Sequence, residues 1–324
     1  MAVEVTAFTA MARAEFMKGK MAAEQVGPAA YEQFVTRLAS TTRVETHTFM
    51  SSLPRLREFK GYTPFARLGT SEYVIPNKEY RVGLAVRKTD LDDDQIGGYM
   101  NMVNGLPGRA KADVGFRILD HLAAGTSTTA DKLAFDGAAF FADSHNIGTG
   151  DNLLTKNCAS DDAVTHKAIF LINNNFGINP VIFQDREPMS GLKTDAETAG
   201  ADLLKEYNYW VDTRFGLGYG FWWDAIHVTI TDTPSLPELQ QLIRDVDAQF
   251  RGFKIPKGSG LDTDLYVHEG WMPSAQNTTI VCSTGLYTLF RTVLANELIT
   301  TTAGSAVTND FVGWANLVPT PSLN

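Results

Sequence analysis

Between Asp90 and Gly125 apolar residues return every three or four positions, at Ile96, Met100, Val103, Leu106, Ala110, Val114, Ile118 and Leu122. That spacing lays one buried stripe along a helix. Thr89-Asp90-Leu91-Asp92-Asp93-Asp94 supplies hydroxyl and carboxylate acceptors for the unpaired amides of a first turn, and Gly125 supplies a stop. The helix expected over 92–124 is about 45–50 Å long at 1.5 Å per residue. No small core is that long, so the rest of the chain has to be laid out along it. Gly105-Leu106-Pro107-Gly108 falls in its middle, and a proline there removes a backbone donor and crowds the preceding turn, which predicts a kink or short break.

Immediately before the helix, the sequence alternates in period two. Glu72-Tyr73-Val74-Ile75, a turn at Pro76-Asn77-Lys78 and Tyr80-Arg81-Val82-Gly83-Leu84-Ala85-Val86 read as one long antiparallel hairpin. A two-stranded ribbon is marginal alone in water. The stretch 62–87 is therefore expected to be an intersubunit element outside the monomer's core, with Phe65, Arg67, Tyr73, Ile75, Lys78, Tyr80 and Arg81 as its contact residues.

Composition excludes several classes. A net charge of −9 over 324 residues disfavours a protein built to grip nucleic-acid phosphates, although not a wall that surrounds them. Cys158 and Cys282 stand far apart with no C-x-x-C, so neither a disulfide framework nor a zinc site is indicated, and a reducing compartment fits. No apolar run reaches the length of a membrane span.

In chain order, Val3–Gln25 predicts a helix interrupted at Gly19, followed by a second helix from Ala29 to Ser40 and an extended Val44–Met50. Arg55, Arg57 and Lys60 then make a basic stretch, read as solvated surface. Asp161–Asn174 predicts a helix, while Pro180–Gln184 and Tyr207–Thr231 predict strands. Ser235 caps a helix that ends near Gly252, with Leu239, Leu242, Ile243, Val246 and Phe250 on one face. Leu261–Val267, Thr279–Cys282 and Phe311–Val318 read as strands and Leu286–Leu298 as a helix. Helices and strands mix without a repeating βαβ unit, so the class is α+β.

Motifs for chemistry are sparse. Asp90, Asp92 and Asp94 imitate the start of a calcium loop, but Gln95 holds the glycine position and Asn101 the twelfth, so helix capping is the better reading. Gly216-Leu217-Gly218-Tyr219-Gly220 lacks the dinucleotide spacing; on a strand its glycines share one face, where another backbone approaches closely. Asp143 and His145 allow an α+β hydrolase to be drawn, yet no nucleophile accompanies them, and His145 reads as a structural turn residue. Neither a catalytic residue, a metal ligand nor a cofactor site is assigned.

Several segments in matching order resemble the major head subunit T family of Mu-like tailed phages. They are Ser40-Thr41-Thr42-Arg43, Pro76-Asn77-Lys78, Leu91-Asp92-Asp93-Asp94-Gln95-Ile96-Gly97, Phe135-Asp136-Gly137 with Phe140-Phe141 and His145, Ile182-Phe183-Gln184-Asp185-Arg186-Glu187, Tyr219-Gly220-Phe221-Trp222 and Asn296-Glu297-Leu298-Ile299. The resemblance implies a Hong Kong 97-type capsid fold. It divides the chain into an N-terminal arm (1–61), an extended E-loop hairpin (62–88), a peripheral P domain with the spine helix (89–155), an axial A domain (156–305) and a C-terminal strand returning to the P domain (306–324). The function it implies is a major capsid protein that assembles with itself as hexamers and pentamers into an icosahedral shell around double-stranded DNA, in the virion, after assembly in a bacterial cytoplasm. The implied partners are further copies of the chain, a scaffold and protease, a portal and decoration proteins, with packaged DNA met by non-specific proximity and no membrane. The absence of a long scaffolding-like N-terminal region leads to the expectation of a separate scaffold or prior processing. The same fold also encloses protein cargo in encapsulin-like shells, which stays open as an alternative. Some heads of this fold cross-link a hairpin lysine to a neighbour's asparagine; Lys78 is read instead as a turn residue that keeps an edge soluble.

Overall fold

The computed structural model describes residues 2–25, 30–50, 70–87, 89–90, 96–173, 178–195, 206–255, 265–268, 270–300 and 306–324. Among them the longer helices are α1 (Ala2–Gln25), α2 (Ile96–Ala123), α3 (Leu236–Gly252) and α4 (Tyr287–Ala295). The strands in the first half are β1 (Val35–Ala39), β2 (Val44–Met50), β3 (Thr70–Pro76), β4 (Lys78–Arg87), β5 (Leu153–Asn157), β6 (Thr165–Ile172), β7 (Val181–Glu187) and the two-residue β8 (Lys193–Thr194). Then come β9 (Glu206–Tyr219), β10 (Ala225–Thr231), the two-residue β11 (Lys254–Ile255) and β12 (Leu265–Tyr266), β13 (Thr278–Ser283), β14 (Leu298–Thr300), β15 (Ala306–Thr308) and β16 (Asn316–Thr320).

One sheet runs β1-β7-β9-β4, with β8 also on β9, and the other runs β16-β13-β6-β10-β5. Helix α2 links the two cores. Its first half contributes Val103 and Leu106 to a cluster with Phe8, Ala12 and Phe16 of α1 and Tyr207, Tyr209 and Val211 of β9. Its second half sends Ile118 and Leu122 into the larger cluster, which is built around the second sheet and helices α3 and α4.

Neither helix is broken at the expected place. Pro107 lies inside a helix that continues from Ile96 to Ala123. Its side chain is buried. Gly19 does not break α1 either; it is the place where α1 meets α2, since a β-carbon there would stand 1.9 Å from the Asn104 carbonyl oxygen. The Asn104 side-chain amide donates to the Glu15 carbonyl at 3.2 Å, and the Lys111 ammonium donates to that of Ala23 at 2.9 Å, so the helices run in the same direction.

Two predicted helices are strands. The stretch 29–40 forms a single 3-10 turn (Ala30–Phe34) and then β1, which pairs in parallel with β7 from Val35↔Val181 to Ala39↔Asp185. The stretch 161–174 holds β6, a central strand whose run Ala168–Ile172 is buried without a break. A continuous apolar run fits a strand covered on both faces as well as it fits a helix, and spacing alone does not separate them.

The long hairpin is also differently wired. Its two expected arms, β3 and β4, do not pair with each other. Instead β3 pairs antiparallel with β2 from Met50↔Thr70 to Val44↔Pro76, while β4 pairs with β9 over ten positions from Lys78↔Phe215 to Arg87↔Glu206. Alternation marks a strand but not its partner. The hairpin is thus β2–β3, joined through 51–69, and Phe65 and Arg67 lie in that connection, outside the described residues. Tyr73, Ile75 and Val86 are buried in the chain's own core, so 70–87 is no detached arm. Of the predicted strand Leu261–Val267, only Leu265–Tyr266 is a described strand, and the closing strand begins at Asn316.

Helix α3 matches its prediction. Ser235 and Glu238 form the reciprocal capping box, and Leu239, Leu242, Ile243, Val246 and Phe250 are the buried face.

Gly19→Ala is expected to lower the thermal midpoint of the subunit, although alanine favours an isolated helix by about 1 kcal/mol. The new methyl has to push α1 off α2, a cost of roughly 1–3 kcal/mol. A midpoint equal to or above the parent's would contradict the close helix contact.

Candidate assembly surfaces

The β2–β3 hairpin rests on β9 where β9 has no side chains. A β-carbon on Gly218 would stand 2.5 Å from Ile75, and one on Gly216 would stand 2.8 Å from Ile75 and 3.0 Å from the Pro76 carbonyl. This is the close approach that the i, i+2 glycines implied. Beside it the Tyr219 amide donates to the Tyr73 hydroxyl at 3.0 Å, and burial pushes the Tyr73 phenol up to about 12. The other face of the hairpin is open: Val44 is 45% and Val74 52% exposed.

Where the hairpin joins the body, polar side chains form a directed chain. His47 Nε2 donates to Gln184 Oε1 at 2.8 Å. Gln184 Nε2 donates to Asn77 Oδ1 at 2.9 Å and to the Ile75 carbonyl at 3.2 Å. Asn77 Nδ2 donates to Ser40 Oγ and to the Thr42 carbonyl, both at 2.8 Å, and Ser40 Oγ donates to Glu45 Oε1 at 3.0 Å. The Glu45 oxygen also accepts the Thr41 and Thr42 amides; those two bonds, then the Ser40 hydroxyl, hold its carboxyl down at about 2.

The remaining expected contact residues occupy the start of β4, an edge strand of its sheet. Lys78 is not at a tip; its Nζ lies 3.3 Å from Asp131. The Tyr80 ring stacks on Phe215 at 4.3 Å, and the Arg117 guanidinium lies over the Tyr80 ring, 4.2 Å from its centre. Arg81 is exposed and lies 3.2 Å from Glu79. Sequence reading missed exposed methionines on the two neighbouring helices, Met11, Met17 and Met21 on α1 and Met102 on α2, because their spacing matches no single stripe.

His145 is paired with Asp136, not with Asp143, which is exposed. Its Nδ1 donates to Asp136 Oδ2 at 2.9 Å, its Nε2 lies 3.3 Å from Asn152 Oδ1, and its ring stacks on Trp222 at 3.9 Å and 2°. Burial alone raises the Asp136 carboxyl, but the His145 bond and the Ala138 and Asn146 amides together bring it below the usual range. The cluster fastens the loop before β5. Of the acidic run before α2, Asp90 accepts the Tyr99 hydroxyl, and Asp92 and Asp94 lie outside the described residues. Among the described residues no group of three metal-ligating side chains gathers, and no helix is long and apolar enough to cross a membrane.

A long helix ties two cores, and the hairpin that rests on β9 leaves its other face open. The chain belongs to the family described as Mu-like prophage major head subunit gpT, whose model matches residues 5–323. The Mu-like prophage FluMu major head subunit of Haemophilus influenzae is 31% identical over 203 residues, 60% of this chain and 64% of that protein. The major capsid protein of Escherichia phage Mu is 26% identical over 207 residues, covering 62% and 67% of the two chains. Among solved structures, the bacteriophage JBD30 capsid has a TM-score of 0.69 at 19% identity over 92% of each chain. The JBD30 procapsid has a TM-score of 0.66 at 23% identity over 98% of this chain and 99% of that one. The fold is the Hong Kong 97-type capsid fold.

Two expectations follow. His121, His227 and His268 are buried, and burial is the main cause that pushes them down to about 3, 4 and 4. Between pH 6.5 and about 4 the unfolded chain takes up protons that the folded chain refuses, so stability falls as pH falls, by up to roughly 1.4 kcal/mol per unit for each histidine. Thermal midpoints measured from pH 7.5 to 4.5 should decline across that window, and His227→Gln should make the decline shallower; an unchanged slope counts against it. His145→Ala is expected to destabilise the subunit by roughly 2–4 kcal/mol, from a charge-assisted hydrogen bond and a ring stack. Denaturant unfolding reads this directly, and a loss below about 0.5 kcal/mol, the size of a neutral surface change, would contradict the fastening role.

Proposed function

We propose that this chain is the major capsid protein of a tailed double-stranded DNA phage or prophage, assembling as hexamers and pentamers into an icosahedral shell around the genome. The observation that carries the reading is the likeness to the JBD30 procapsid across 98% of the chain, together with family membership. The JBD30 capsid has also been solved decorated with minor capsid protein trimers. That supports a decorating partner here; a scaffold, a protease and a portal are the further partners this reading proposes. DNA is met as a wall meets its contents, consistent with a net charge of −9. The site of action is the virion, after assembly in the host cytoplasm.

In this reading the E-loop is β2–β3 with 51–69, one strand earlier than alternation suggested. Its open face, with Val44 and Val74, lies on a neighbour, and Phe65 and Arg67 join that contact from the connection. Lys78, Tyr80 and Arg81 on the β4 edge form a second contact, whereas Tyr73 and Ile75 hold the hairpin to its own subunit. Helix α2 is the P-domain spine, 156–305 the axial domain and 306–324 the return strand. His145 serves the fold and has no catalytic part. Interfaces of this kind are individually modest, and closed symmetry multiplies them.

Replacing 51–69 by a short turn between Met50 and Thr70 should leave a soluble subunit with the parent's thermal midpoint that closes no shells under the electron microscope. Shells of normal size from this variant, or an absence of shells from the parent, would each contradict the reading. Mature particles boiled in detergent should run as one monomer band, and a ladder would point to covalent cross-linking.

A further inference from the structure

Among the described residues, no backbone ladder joins the β2–β3 hairpin to either large sheet. The hairpin is continuous with the body through two short segments, 40–43 on one strand and Asn77 on the other. Beneath it, Ile75 lies on a floor of Gly216 and Gly218. A glycine floor has no knobs for the side chain above to lock between, so apart from the Tyr219 amide bond to the Tyr73 hydroxyl the direction of the hairpin is left to the polar contacts at its junction.

Hydrogen bonds are different, because they weaken steeply as their angle departs from line. The directed chain runs from His47 on the hairpin to Gln184 on the body, then to Asn77 and Ser40 at the two junctions, and ends on Glu45 of the hairpin. Gln184 has no exposed surface, and its amide is fully used: the oxygen accepts from β2 and the nitrogen donates to β3 and to the junction. Donors all point the same way along the chain, so each bond polarises the next. Turning the hairpin strains these bonds together and leaves a buried amide unpartnered, which opposes the turn.

We propose that Gln184, with Asn77 and His47, is the positioning element that sets the angle at which the hairpin leaves the body, and through that angle the curvature at which the shell closes. This rests on the capsid reading above and adds the residues that decide shell size.

The test uses the full chain co-expressed with the genes that flank it, comparing the parent with Gln184→Met, Asn77→Ala, His47→Leu and His47→Gln. Shell diameters are measured by cryo-electron microscopy and thermal midpoints on dissociated subunits. Gln184→Met, Asn77→Ala and His47→Leu should lose the single diameter class, giving mixed sizes, tubes or open sheets, while His47→Gln, which restores a donor toward Gln184, should recover it. Uniform shells of parental diameter from all four variants would overturn the proposal, as would mixed sizes that His47→Gln fails to correct. If Gln184→Met does not fold, Asn77→Ala and the two His47 variants decide by the same criterion. A parent that forms no shell sinks the capsid reading and takes this inference with it.

Discussion

The arrangement depends on the absence of side chains along one face of β9. With nothing larger than hydrogen at Gly216 and Gly218, Ile75 settles directly on the strand's backbone, and β3 crosses over β9 instead of pairing beside it. That crossing lets Asn77 turn the chain from the hairpin into β4, which then pairs with β9 along its length. Larger residues at either glycine would lift β3, expose Tyr73 and Ile75 and separate the hairpin from the sheet that orients it. Gly19 does the same for the helices, bringing α1 against α2 at the backbone.

Local chemistry carried much of this in the amino-acid order. Ser235 and Glu238 specify the start of α3, and its apolar positions specify which face is buried, because capping and period act within a few residues. The alternate glycines near Tyr219 announced a close backbone approach for the same reason. The failures all concern distant partners. Val35–Ala39 is a strand because β7 lies beside it, and Ala168–Ile172 is a strand because β10 and β13 flank it on both sides. The arms on either side of Asn77 read correctly as strands, but nothing within them names β2 or β9 as the strand each pairs with.

The surfaces were less legible than the fold. Lys78 and Arg81 were found as exposed charges on a strand, yet Tyr73 and Ile75 carry the same alternation and are buried within their own subunit. The polar chain at the hairpin root brings together residues more than 100 positions apart, such as Gln184 with Ile75 and Asn77. Only the folded sheet assembles them. The family segments that include Ser40, Asn77 and Gln184 thus converge on one place.

The hairpin also acts as a lever. Seven residues of β2 extend about 23 Å at 3.3 Å per residue, so a tilt of about 10° at the junction displaces the far end by about 4 Å. A displacement of that size approaches the spacing of about 4.8 Å between neighbouring strands, so a small turn at the pivot is large at the tip. Because Tyr73 and Ile75 of the same hairpin sit in the subunit's own core, whatever holds the junction also holds the far end in place.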